Sequence, residues 1–190
     1  MIKKWGTFLL SQTNLRLVIL AVMIVLPFNA LAFPLMSERL REVASGLSTL
    51  DVTFAYTGPQ ALDRVDALGA AGRIQYLLIE WTADLLYPLA YTFLFSVLIG
   101  LSLRILKTGP AWQRWVYWPL IGMLVDYGEN ISVSLLMGAY PARPLALAWG
   151  AAAFSLLKWV TFSITLLLTI GLLIACLVQF VRTVRNNGAS

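Results

Sequence analysis

Apolar positions gather into four long runs, over residues 15–35, 82–105, 116–137 and 145–181. A hydrocarbon core of about 30 Å is crossed by about 20 helical residues. Each run reaches that length, and the fourth exceeds it, so it tilts or keeps its first turns outside the bilayer. The pattern predicts an all-α integral membrane protein. It is a four-transmembrane-helix bundle with a small helical extracytoplasmic cap between spans 1 and 2, one domain over residues 1–190.

The polar stretch 37–80 is the outer loop that forms this cap. "DVTFAYT", Asp51 to Thr57, alternates enough to be extended. "TGPQALDRVDALG" reads as a short helix with Thr57 or Gly58 as its cap, Pro59 in its first turn and Gly69 at its end. Leu62, Val65 and Leu68 give it one apolar stripe to lay on the mouth of the bundle. Beyond Gly69 the sequence continues straight into span 2 as one helix. Arg73, Tyr76, Glu80, Asp84, Tyr87 and Tyr91 then share a face. Arg73 and Glu80 are expected to be solvated at the outer mouth, and Asp84, Tyr87 and Tyr91 to form an inward polar stripe. Leu78, Leu85, Leu89 and Phe93 face lipid or core.

Composition supports the same class. The chain is 59% hydrophobic and 12% charged, against roughly a quarter charged in soluble domains. Its net charge of +5 is spread along the chain, so nucleic acid is not an expected partner. Lys3, Lys4, Arg16, Arg104, Lys107, Arg114, Arg182 and Arg185 lie on one side if the N-terminus is inside. Arg39, Arg41, Arg64, Arg73 and Arg143 lie on the other. The positive-inside rule then puts both termini in the cytoplasm, and a bacterial plasma membrane is the expected location. No acid falls in an inner segment. Trp112, Trp115, Tyr117 and Trp118 mark the inner interface of span 3, as Trp5 does for span 1. The tail "NNGAS" is expected to be disordered. Lys3 and Lys4, the apolar run and Ala30-Leu31-Ala32 also fit a cleaved secretory signal. Its length and the interrupting Arg16 favour retention as a span.

There is no histidine and one cysteine, Cys176. Internal disulfides, Cys-x-x-Cys redox chemistry and histidine-based catalysis are excluded. No metal-ligand or dinucleotide spacing occurs, and no cofactor is expected. Cys176 reads as a small buried or lipid-facing residue.

The unusual chemistry lies in "LVDYGEN". Asp126 falls near the bilayer midplane, where a lone charge costs at least about 2.5 kcal/mol. Glu129 and Asn130 share its face, and Ser134 extends it. The short connection "GAYPARP" makes spans 3 and 4 antiparallel neighbours. Folding the chain at Ala142 sets residue 126 opposite Lys158, the one basic residue in a span interior. Ser155, Thr161, Thr165 and Thr169 lie on Lys158's face. Two acids against one lysine leave a carboxyl free to hold a proton. Asp126, Glu129 and Lys158 are the candidate catalytic centre. Asp84, Tyr87, Tyr91, Asn130, Ser134 and Ser155 are its candidate ligand-binding residues. "SLLK" has the spacing of Ser-Lys acyl enzymes, but Lys158 already faces acids. "AWGAAAF" is a small-residue packing patch.

The expected function is binding, or acid-catalysed conversion, of a lipid or isoprenoid-like amphiphile. A proton- or ion-coupled carrier working as a homo-oligomer and a non-catalytic scaffold are the alternatives. Membrane lipids and a hydrophobic small molecule are the expected partners.

Overall fold

The computed structural model describes residues 13–187, and its described residues form helices and connections with no strand. Lys3, Lys4 and Trp5 lie outside that range. Helix α1, Leu15–Pro27, passes through a π-helical turn, Phe28–Ala32, into α2, Phe33–Val43. Asn14 starts it, its side-chain oxygen accepting from the Leu17 N–H at 3.1 Å. Pro27 and Pro34 flank the widened turn, and each deletes one N–H from the helical ladder. The helix therefore runs to Val43, past the residue 35 expected. Ser37 to Glu42 are polar apart from Leu40, but none of them breaks a helix.

The next stretch turns instead of extending. The Thr53 N–H bonds the Leu50 carbonyl at 2.8 Å, so Asp51–Phe54 forms a turn and bends. This corrects the extended reading of "DVTFAYT". Helix α3, Gly58–Ala67, opens with a reciprocal cap. The Gln60 N–H donates to Thr57 Oγ1 at 3.4 Å, and Gln60 Oε1 accepts from the Thr57 N–H at 2.8 Å. Gly69, at φ +65°, turns the chain into α4, Gly69–Glu80.

Helix α5 spans Ala83–Ile105. The expected single helix is broken at Trp81–Thr82, where Thr82 has φ −124° and ψ −84°. Six residues on, Pro88 cannot donate to the Asp84 carbonyl. That carbonyl accepts instead from Asn130 Nδ2 at 3.2 Å. The Tyr127 hydroxyl donates to the next carbonyl, Leu85, at 2.9 Å. Two side chains of a neighbouring helix thus satisfy backbone that this proline loosens.

A short α6, Pro110–Gln113, and a 3-10 turn lead into α7, Trp118–Gly138. Helix α8, Leu145–Asn187, has 43 residues. At 1.5 Å per residue it is about 65 Å long, twice a hydrocarbon thickness. It includes Asn186 and Asn187, which corrects the expectation of disorder there, while Gly188 to Ser190 lie outside the described residues. Four helices are long and apolar enough to cross a membrane: Leu15–Val43, Gly69–Ile105, Pro110–Gly138 and Leu145–Asn187.

The packing has two centres. Leu62, Val65 and Leu68 of the α3 region are buried with Leu40, Tyr76, Val133, Leu136 and Ala148. The ends of α2, α4, α7 and α8 therefore close on α3. Ile99, Leu103 and Leu172 form a smaller cluster toward the other end. Helices α7 and α8 are the most extensively packed pair. Gly128 lies so close to the Phe154 ring that a methyl there would collide with it. Buried α8 positions Ala148, Ala151, Ala152, Ser155, Thr161, Thr165, Thr169 and Leu172 recur at helical spacing. Outside this stripe α8 shows apolar side chains such as Leu167, Leu177 and Phe180.

Candidate functional site

Lys158 projects from the middle of α8 toward the facing side of α7. Its ammonium nitrogen lies 3.7 Å from Asp126 Oδ1 and in contact with Glu129 Oε2. Glu129 has no solvent exposure, and the lysine side chain has 13%. An isolated charge is costly in such a place, and opposite charges held together with added hydrogen bonds offset that cost. The Tyr91 hydroxyl supplies one, donating to Asp126 Oδ2 at 3.0 Å. Asp126, Glu129, Lys158 and Tyr91 are thus brought together from three helices.

The acids outnumber the base further than the sequence implied. Glu80 is 2% exposed, because α4 turns its last residue inward where solvation had been expected. Asp84, one turn further, is also buried. Among the described residues, Glu80 Oε2 and Asp84 Oδ2 have no hydrogen-bond partner. Asp51 comes from the loop before α3, and its buried Oδ1 likewise has no partner among the described residues. That loop is fastened to α8 by Trp159 Nε1, which donates to the Asp51 carbonyl at 3.2 Å, and by Ser155 Oγ, which donates to the Thr53 carbonyl at 3.5 Å. The Leu50 N–H donates to the Tyr76 hydroxyl at 2.8 Å and fixes the loop's other side. Tyr56 closes the loop beside Ser155. Burial first, then the Glu129 charge, holds its phenol well above its usual range, so it stays neutral.

A cavity of about 330 Å³ opens beside this centre. Asp51, Asp84, Asp126 and Lys158 supply its polar wall. Phe33, Tyr87, Tyr91, Trp159 and Phe162 supply rings. The rings are in mutual contact: Phe33 meets Tyr87 edge-on at 4.9 Å, Tyr87 meets Tyr91 at 5.5 Å, and Tyr91 meets Phe162 at 6.0 Å. Asn29, exposed on the π turn, forms part of the rim, and its Oδ1 accepts from the Tyr87 hydroxyl at 3.3 Å. The first long helix packs on α5 and α4, with no comparable packing against α8.

The predicted residues divide accordingly. Asp84, Tyr87, Tyr91, Asp126 and Lys158 reach the cavity wall. Glu129 and Ser155 are wholly buried behind it. Asn130 is occupied by the Asp84 carbonyl, a backbone role set by Pro88. Ser134 faces away and accepts from Trp81 Nε1 at 2.9 Å. Asp51, Asn29 and the rings of Trp159 and Phe162 are not among the residues the sequence points to, and Glu80, expected in solvent, is enclosed. Asn29 left a signal, a lone amide in an apolar run. Glu80 did too, through its four-residue spacing from Asp84. Asp51 left none, since an acid in a polar connection reads as solvated. The Thr161, Thr165 and Thr169 hydroxyls donate to carbonyls of their own helix and not across it. Among the described residues no three acid or thiol groups converge in a metal-holding arrangement.

No protein family, curated protein or solved structure matches this chain.

Proposed function

We propose that this chain is an integral membrane protein that binds a lipid or isoprenoid-like amphiphile in the cavity beside Lys158. Its four long helices cross the bilayer as a bundle with both termini cytoplasmic, and α3 with its flanking loops caps the outer end. The supporting observation is the composition of one wall. Buried Asp84 and Asp126 and the half-buried Lys158 stand against contiguous aromatic rings, and the neighbouring helices show apolar faces outward. A polar head fits the first surface and an apolar chain the second. The space between the first helix and α8, rimmed by Asn29, gives such a molecule a lateral route from lipid.

Any proton transfer to the ligand falls to Asp126 or Asp84, which reach the wall. Glu129 acts one step back by holding Lys158. A carrier needs groups that hand charge along a path. The α8 threonines turn their protons onto their own backbone, which leaves that reading with less support. A scaffold would need buried polar groups only for packing, and Asp84 Oδ2 bonds to none of the described residues.

The test is native mass spectrometry of the purified protein. Val52 lines the cavity on an exposed loop, so Val52→Trp plugs it without disturbing the core. We expect a discrete lipid-sized adduct on the wild type, lost from this variant and kept in Val43→Trp, an exposed position away from the cavity. An adduct of equal abundance in all three, or none on the wild type, contradicts the reading.

A further inference from the structure

We infer that the cavity takes a cationic head, an amine or quaternary ammonium, which rests on the amphiphile-binding reading above and narrows it. Five acids, Asp51, Glu80, Asp84, Asp126 and Glu129, are gathered around one base. Among the described residues, Lys158 is the one Lys or Arg on the cavity wall. Its ammonium already meets Asp126 and Glu129, and among the described residues neither Asp51 nor Asp84 forms a direct ion pair. Asp84 is 5% exposed and lines the cavity, with its Oδ2 unpartnered. An unpaired buried carboxylate is costly, and a ligand cation removes that cost.

The other wall points the same way. Tyr and Trp ring faces attract cations through their quadrupoles, and cages of such rings bind quaternary ammonium groups. Tyr87, Tyr91 and Trp159 line the same space as the free acid. A metal ion is a poorer occupant, because no three acids converge on one point among the described residues. The space, about 330 Å³, is also far larger than one ion. A phosphate head would meet three carboxylates and a lysine whose charge is already matched.

The experiment compares heads on one chain. Wild-type protein in nanodiscs of neutral lipid is titrated with hexadecyltrimethylammonium, hexadecanol or hexadecyl phosphate, and Trp fluorescence and native mass spectrometry report occupancy. The ammonium is expected to bind about tenfold or more tighter than the alcohol, a difference within reach of one desolvated cation–π contact plus a carboxylate. The phosphate should be weakest. Asp84→Asn should bring ammonium and alcohol close to parity. If that variant does not fold, the wild-type ranking decides alone. Equal binding of ammonium and alcohol, or tightest binding of the phosphate, overturns the cationic head and leaves the cavity reading standing. Absence of binding by all three, or binding that survives Val52→Trp, overturns the cavity reading itself.

Discussion

Asn130 shows how one side chain acquires its role from a residue far away in sequence. Pro88 leaves the Asp84 carbonyl without its helical donor, and the Asn130 amide supplies one at 3.2 Å. Losing a donor to a buried acceptor costs about 1–3 kcal/mol. Asn130→Ala should therefore lower thermal stability in detergent, and should lower it less in a Pro88→Ala background, where the backbone N–H returns. Equal losses in both backgrounds would remove the proposed link. Tyr76 offers a second case. It is fully buried, and its hydroxyl accepts from the Leu50 N–H at 2.8 Å. Tyr76→Phe should cost about 1–3 kcal/mol by orphaning that donor, seen as a lower melting temperature, and should loosen the Asp51 loop to proteolysis. The sequence made Asn130 visible as a polar residue in a span. It could not show whether the amide faced ligand or backbone, because that depends on which carbonyl a proline frees on another helix.

Elements were legible where local chemistry decides them. The α3 helix, its Thr57 cap and its buried Leu62, Val65 and Leu68 follow from turn residues and periodicity. Thr57→Ala should destabilise by about 1 kcal/mol, measured by thermal unfolding. A change within error would mean that α3 is held by packing alone. The break at Trp81–Thr82 and the π turn at Phe28–Ala32 were not legible. Neither contains a strong breaker at the break itself. The π turn lies between Pro27 and Pro34 and the break lies six residues before Pro88, and only the folded neighbours decide where the helix gives. The break also explains why Glu80 is enclosed when a continuous outer-mouth helix would have left it in water.

At the scale of the whole molecule, the four apolar helices follow directly from run length. Their arrangement around a charged interior follows only in part. The hairpin register placed residue 126 opposite residue 158, because two antiparallel helices joined by a short turn have little freedom to slide. The loop that brings Asp51, and the first helix that brings Asn29 and Phe33, contribute through long-range packing that no spacing rule encodes. The proposed four crossings of the membrane would set sidedness. With Cys176 replaced by Ser, an impermeant maleimide added to intact cells should label Asp63→Cys, on exposed α3, and spare Arg185→Cys near the end of α8. The reverse labelling would invert the topology. The fold is organised around one enclosed amine shared by two helices, and removing either side of a buried charge pair costs about 3–5 kcal/mol. The most direct measurement is therefore a double-mutant cycle of Lys158→Met and Glu129→Gln, read as thermal stability in detergent. Each single change should be strongly destabilising, and the double variant should lose clearly less than the two losses added together. Strictly additive losses would mean that Lys158 and Glu129 do not hold each other in the folded protein.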